Sequence, residues 1–344
     1  MDPAWQGVFL GNLHCTDSFA SISALPSPRL THLTLDGVCA ATLANFPPEF
    51  TESLKSLVLP NFNALTPADL RRDGGFLPRL HSFVIDFYHD LHPALSLQPV
   101  LAQFPACVAL THLQMPYVTY THAPALLQLL GATSLQSITI SGYGETTELA
   151  RSQDICALIA QKWAGTLKYL KFKAAEIGDV ACVSVCTALE TFRLTDCRTF
   201  SFGDFMEIAL GWGSLQCLSI PSASGVDLIS LARIAITFPR LLALKVDLVV
   251  DLTFLPHLST TPVLSHILKR LLFHSFPPSC ASDTTLLASH LHRLFPRLDS
   301  IRYGGRIGQT EKLGELAGEI GFEADVDVWV GVLEDVFRLQ DFAS

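Results

Sequence analysis

Short apolar segments recur along the chain, and each opens with a leucine and follows the spacing Leu-x-x-φ-x-φ, where φ is apolar. Alternation of apolar and polar positions over a few residues predicts a half-buried strand. The steps between successive opening leucines run from 22 to 32 residues and average about 27. Recurrence at this interval predicts a solenoid of repeats. The eleven opening leucines are Leu30, Leu54, Leu80, Leu110, Leu135, Leu167, Leu189, Leu215, Leu241, Leu268 and Leu298.

Segments with helical spacing of apolar residues lie between several of these strands. They cover 145–163, 204–210, 226–238 and 284–295. The phrase x-Pro-Arg-Leu comes before four of the strands. Because proline lacks a donor N–H and disfavours helix in the residue before it, each of these prolines is predicted to end a helix. The four are Pro28, Pro78, Pro239 and Pro296.

The pattern predicts an α/β fold, a leucine-rich-repeat solenoid of about eleven irregular repeats. One strand–helix turn cannot bury its own apolar face, so stacked turns share a continuous core. We expect a curved horseshoe with a parallel β-sheet on the concave face and helices and irregular turns outside. The predicted parts are an N-terminal cap at 1–26, a repeat array at 27–304 and a C-terminal cap at 305–344, within one continuous structural domain.

The composition indicates in which cellular compartment the protein resides. Charged residues make up 16% of the chain, against about 25% in ordinary soluble domains. No apolar run approaches the roughly 20 residues that span a bilayer, and the first residues lack the features of a signal peptide. The nine cysteines show no framework spacing. We therefore expect reduced thiols in an intracellular compartment, cytoplasmic or nuclear, and no membrane partner.

The net charge of −9 is unevenly distributed. Residues 311–344 hold nine acidic and two basic residues, which leaves 23 acidic and 21 basic residues in the body of the chain. A nucleic-acid-binding domain shows a basic excess, and this chain has none. The sequence therefore predicts no nucleic-acid partner.

The Leu-x-x-φ-x-φ strands and the x-Pro-Arg-Leu junctions resemble leucine-rich-repeat proteins of the ribonuclease-inhibitor-like kind over roughly 28–304. The irregular repeats and the phrase Phe-Pro-Arg-Leu are similar to the repeat regions of fungal F-box proteins, although residues 1–50 contain no recognisable F-box. This resemblance implies a protein–protein interaction module that recognises substrates for a ubiquitin ligase, with a cullin-ligase adaptor as a further partner. The family pattern continues to an Asn or Cys three residues after each strand. Only Cys197 conforms here, so we expect irregular turns.

Residues at the third and fifth positions of each unit are expected to face outward on the concave side. This row is neutral at first and becomes basic from Lys171 onward. Lysine and arginine suit an acidic or phosphorylated segment of a protein partner. The alternative is an ordinary solvated strand face. The candidate binding residues here are Tyr169, Lys171, Lys173, Arg193, Lys245, Arg270 and Arg302, with Lys168 beside them.

Aromatic residues follow the third to fifth strands and are expected to line one edge of the repeats. Tyr117 and Tyr120 are candidates for protein binding, because tyrosine is favoured at interfaces. The alternative is that such rings fill the turns where the family places asparagine. We prefer that interpretation for Tyr88 and Tyr143, which occupy the asparagine position. The other members of this group are Phe87 and His89.

Signals for catalysis are weak, and we predict a non-enzymatic protein with no catalytic residue, cofactor or metal site. His89 and His92 lack a third ligand, and Cys182 and Cys186 lack the second pair of a zinc site. Gly304–Gly308 lacks the ending of a phosphate-binding loop. The alternatives are a regulator of an enzyme, such as a small-GTPase activator that uses Arg306 as a finger, or an orphan repeat protein.

Overall fold

Short parallel strands recur through the described part of the chain, with helices between several of them. The chain forms two compact units, Met1–Lys173 and Ala174–Ser344. The structure, a computed structural model, describes residues 12–15, 31–35, 52–59, 79–85, 108–116, 118, 123–141, 152–174, 176–194, 197, 200–220, 226–246, 263–273, 284–298 and 300–303.

The first unit contains seven described strands, each paired in parallel with the next along the chain. Helix α1, Ala123–Leu129, connects the fifth strand to the sixth, and α2, Ser152–Trp163, connects the sixth to the seventh. The strands are β1 Asn12–Cys15, β2 His32–Leu35, β3 Ser56–Leu59, β4 Ser82–Ile85, β5 His112–Met115, β6 Ser137–Ile140 and β7 Tyr169–Phe172.

The second unit repeats the arrangement with five described strands, again parallel and in chain order. They are β8 Thr191–Leu194, β9 Cys217–Ile220, β10 Ala243–Val246, β11 Arg270–Phe273 and β12 Ser300–Tyr303. A 3₁₀ helix, Ile177–Val185, precedes β8. The α-helices are α3 Phe202–Ala209, α4 Leu228–Thr237 and α5 Thr284–Leu294.

All eleven leucine units predicted from the sequence carry a strand, β2 to β12, which begins two residues after the opening leucine. The predicted α/β leucine-rich-repeat architecture is therefore confirmed. Strand β1 was not predicted and lies inside the segment assigned to the N-terminal cap. Its sequence, with Leu10, Leu13 and Cys15, follows the same spacing. The residues of the predicted C-terminal cap lie outside the described part of the chain.

The core of each unit is formed by the first, fourth and sixth positions of the repeats. Leu110, Leu113 and Met115 are at most 1% exposed, whereas His112 and Gln114 between them are exposed. Successive strand side chains point to opposite faces, so this alternation places one set against the helices and the other in solvent. Full burial of such a leucine stabilises the fold by about 1.5–3 kcal/mol.

A regular hydrogen-bond pattern joins the repeats at the start of the strands. The carbonyl of Thr31 accepts from the N–H groups of both Lys55 and Ser56, at 2.8 and 2.9 Å. The same two-donor arrangement recurs at His81, which accepts from Thr111 and His112 at 2.9 Å. Within each unit, the repeats joined in this way are fixed to one another ahead of the strand ladder itself.

Helix ends follow local sequence signals. The hydroxyl of Ser201 accepts from the N–H of Asp204 at the start of α3, and the carboxylate of Asp227 accepts from Ser230 at the start of α4. Side-chain acceptors of this kind satisfy N–H groups that lack helical partners. Helix α4 ends at Thr237, two residues before Pro239, as predicted. Helix α5 likewise ends two residues before Pro296. Pro28 and Pro78 lie outside the described residues.

Candidate functional site

The strands of the second unit carry two rows of residues at the third and fifth positions. The parallel register places each member opposite the corresponding member of the next strand. We call these ten positions the unit-2 strand face. Its third-position row is Thr191, Cys217, Ala243, Arg270 and Ser300, and its fifth-position row is Arg193, Ser219, Lys245, Leu272 and Arg302.

The unit-2 strand face is basic. Four of its ten residues are lysine or arginine and none is acidic. Arg193 and Arg270 are exposed and Lys245 is half-buried. Arg302 occupies the fifth position of β12, opposite Leu272 in the register. Charges of one sign on rigid neighbouring strands attract an anionic partner and disfavour a cationic one.

The corresponding positions of β2 to β6 in the first unit carry no charged residue. On β7, Tyr169 lies opposite Ser137 and Lys171 lies opposite Thr139, and both residues are half-buried. Lys168 precedes the strand and is exposed, and Lys173 follows it and is half-buried. The predicted basic group is therefore divided, because its three lysines belong to the first unit and Arg193 to the second.

The aromatic candidates lie outside the described residues, so their role as interface or turn residues stays a prediction. These are Tyr117, Tyr120, Phe87, Tyr88, His89 and Tyr143. The same holds for His92, the segment Gly304–Gly308 and Arg306 within it.

Two buried tryptophans connect repeats in the described turns. The indole Nε1 of Trp163 donates to the carbonyl oxygen of Ala132 at 2.6 Å. The indole Nε1 of Trp212 donates to the carbonyl oxygen of Val183 at 3.1 Å. The two acceptor carbonyls lie in the segments before β6 and β8, and a buried carbonyl needs a hydrogen-bond donor. The sequence places Trp163 at the end of a predicted helix, 145–163, and gives no sign of this contact.

Lys162 caps the C-terminal end of α1, a helix of the preceding repeat. Its Nζ donates to the carbonyl oxygens of Leu127, Gln128 and Leu130 at 2.8, 2.9 and 2.7 Å. Burial lowers the pKa of Lys162 from its ordinary value. An ammonium group at a helix C-terminus complements the partial negative charge there. The sequence alone gives no sign of this contact, which joins residues more than 30 positions apart.

His266 links two repeats in the second unit. Its Nε2 lies 2.8 Å from the carbonyl oxygen of Phe238, and its Nδ1 lies 3.0 Å from the backbone nitrogen of Leu268. Because a carbonyl only accepts and an N–H only donates, the ring is neutral with its proton on Nε2. Burial lowers the pKa of His266, and the bond to Phe238 acts in the opposite direction.

The described cysteines do not assemble a reactive or metal-binding group. Cys182 lies within the 3₁₀ helix and is half-buried, while Cys186 caps its end and is buried. At three residues per turn, positions four apart do not share a face as they would in an α-helix. Burial raises the pKa of the Cys186 thiol to about 11, which disfavours the thiolate. Among described residues, no three His, Cys, Asp or Glu side chains come together as metal ligands.

The chain matches no known family model and no curated protein sequence. Among solved structures it is similar to the leucine-rich-repeat-containing protein LegL7 from Legionella pneumophila, at 14% identity and a TM-score of 0.39. The similarity covers 93% of this chain and 97% of that one. The fold assignment rests on this chain's own strand order and burial pattern. Within the described ranges, no helix is both long and apolar enough to traverse a bilayer.

Proposed function

We propose that this chain is a non-enzymatic protein-interaction module, and that its unit-2 strand face binds an acidic or phosphorylated segment of another protein. The observation that carries the proposal is the composition of that face, with four basic residues and no acidic residue. Arg193 and Arg270 are exposed residues of this face. Arginine donates paired hydrogen bonds to carboxylates and phosphates, and these charge-assisted bonds are stronger than neutral ones.

The scaffold supports binding because it holds these residues rigidly. Arg193 stands between Phe192 and Leu194, and Lys245 stands between Leu244 and Val246; all four flanking residues are at most 1% exposed. The backbone of each basic residue is thus fixed on both sides by core packing. A backbone fixed in this way loses little further conformational entropy when a partner binds, so the cost of ordering falls on the side chains.

For the biological role, we propose substrate recognition in a ubiquitin-ligase pathway. The support is the resemblance of Phe238-Pro239-Arg240-Leu241 and Phe295-Pro296-Arg297-Leu298 to the repeat regions of fungal F-box proteins. Affinity purification that recovers a cullin-ligase adaptor with the chain would support this role. Repeated recovery of a small GTPase whose GTP hydrolysis the chain accelerates would contradict it.

The binding proposal is tested by affinity purification with three forms of the chain. These are the wild type, the double variant Arg193→Glu with Arg270→Glu, and Arg233→Glu as a matched control on the exposed surface of α4. We expect proteins retained by the wild type and by the control to be lost with the double variant, without a change in thermal unfolding. Equal recovery by all three forms would show that binding takes place elsewhere.

A further inference from the structure

The basic residues of the unit-2 strand face are spaced at regular intervals across the strands. Arg193 lies opposite Ser219, Ser219 opposite Lys245, Lys245 opposite Leu272, and Leu272 opposite Arg302. A basic residue therefore occurs on every second strand of the fifth-position row. Since neighbouring strands are about 4.8 Å apart, the repeat of positive charge is about 10 Å.

From this spacing we infer that the partner segment runs across the strands and carries acidic side chains about 10 Å apart. The inference rests on the proposed function and names the partner's chemistry more closely. A chain in the polyproline II conformation has three residues per turn and rises about 3.1 Å per residue, so acidic residues at every third position lie on one face about 9 Å apart, close to the spacing of the basic row. The uncharged residues between the acids then lie over Ser219 and Leu272, which are uncharged and half-buried.

A single phosphate group does not satisfy this arrangement. The Cα positions from β8 to β12 extend over about 19 Å, because four strand spacings separate them. Domains that recognise phosphorylated segments do so with clusters of arginine around one anion. Arg270 adds a fourth charge, but it lies on the third-position row, opposite Ala243 and Ser300. The charge is therefore distributed along the face.

The spacing predicts how individual residues contribute to binding. Arg193 and Lys245 are two strands apart in the fifth-position row, a separation of about 10 Å, and contributions at such distances are usually additive. Each of these two residues contacts a different acid of the partner. Replacement of either one should therefore weaken binding by a similar factor, and replacement of both by about the product of the two factors.

The experiment uses the full chain and three synthetic peptides of equal length and similar net charge. The first carries four glutamates at every third position, the second carries four contiguous glutamates, and the third carries two adjacent phosphoserines. Dissociation constants are measured by fluorescence anisotropy at low and at physiological salt. We expect the spaced peptide to bind about fivefold tighter than either other peptide, a factor near the upper limit of one exposed ion pair.

Variants complete the test. Arg193→Glu and Lys245→Glu should each weaken binding of the spaced peptide, and their effects should be additive. Arg233→Glu should leave the affinity for that peptide unchanged. Tighter binding of the contiguous or the phosphorylated peptide would overturn the inference. So would equal affinity for all three peptides, or complete loss of binding on replacement of Arg270 alone.

The outcome is separable from that of the proposed function. If the chain retains protein partners through Arg193 and Arg270 but shows no preference for spaced acids, the proposed function stands and the inference about spacing is refuted. If the chain binds none of the peptides, and replacement of both arginines does not change the recovery of its protein partners, the proposed function and the inference are both refuted.

Discussion

The indole Nε1 of Trp163 donates a hydrogen bond of 2.6 Å to the backbone carbonyl oxygen of Ala132, in the preceding repeat. Trp163 is 1% exposed and Ala132 is 2% exposed. A buried carbonyl without a partner costs about 1–3 kcal/mol, so this bond removes a penalty that the turn would otherwise carry. Trp212 and Val183 repeat the arrangement in the second unit. Buried indoles thus hold successive repeats together.

Replacement of Trp163 by Phe should destabilise the protein by about 3 kcal/mol. The change leaves the Ala132 carbonyl buried without its donor and opens a cavity beside it, and both effects reduce the free energy of unfolding. Urea denaturation followed by circular dichroism measures the loss. Trp212→Phe should give a smaller loss in the second unit, because the Val183 carbonyl keeps its hydrogen bond from the Cys186 N–H. A change below about 0.5 kcal/mol, the size of an ordinary surface substitution, would show that the indole bonds contribute nothing.

Replacement of Lys162 by Met should cost about 1 kcal/mol. Methionine keeps the apolar stem but removes the ammonium group that donates to three carbonyl oxygens at the end of α1. The figure is smaller than for a fully buried charged hydrogen bond because the group is partly exposed. Chemical denaturation measures it, with Lys162→Arg as the control that keeps a donor. Equal stability of the methionine variant and the wild type would contradict the capping role.

Replacement of Gly211 by Ala should destabilise the second unit by about 1–3 kcal/mol through overpacking. A Cβ at this position would collide with the carbonyl oxygen of Ser184, which belongs to the backbone and cannot move aside alone. Gly213, two residues later, has open space around its Cβ position. Gly213→Ala is therefore the matched control and should leave the thermal midpoint nearly unchanged. Equal shifts for the two variants would refute the close contact.

Stability should fall as the pH is lowered below about 6.5, in part because of His266. Burial lowers its folded-state pKa from the ordinary value of 6.5. Below that value the unfolded chain takes up a proton more readily than the folded chain, so the free energy of unfolding decreases toward the folded-state pKa. His266→Gln, which does not titrate, should show a shallower decrease between pH 7.5 and 5.5. An identical slope in the variant and the wild type would exclude His266 as a contributor.

The sequence predicted the strands more completely than the contacts between repeats. The opening leucines place β2 to β12 because each apolar position of the unit is buried by neighbours of the same spacing. Strand β1 shows the limit of the pattern, since Leu13 and Cys15 fit it but lie in a segment that was assigned to a cap. The roles of Lys162 and His266 depend on carbonyl groups about 30 positions away, and a single sequence contains no record of such contacts.

The sequence also predicted which strand residues of the candidate site are exposed. Strand alternation identified which residues of the second unit occupy the exposed face, including Arg193 and Arg270. The division of the predicted basic group between two units could not be inferred, because Lys171 and Arg193 occur in successive repeats with the same pattern. The register that spaces Arg193 and Lys245 two strands apart required the pairing of both with β9.

The most direct test of the account is site-specific photo-cross-linking in the presence of the protein partner. A photoreactive amino acid replaces Ala243, a half-buried residue of the unit-2 strand face between Cys217 and Arg270 in the register. A matched form carries it at Arg233, on the exposed surface of α4. We expect a covalent adduct with the partner from position 243 and none from position 233. An adduct from position 233 alone would contradict the claim that the strand face is the binding surface.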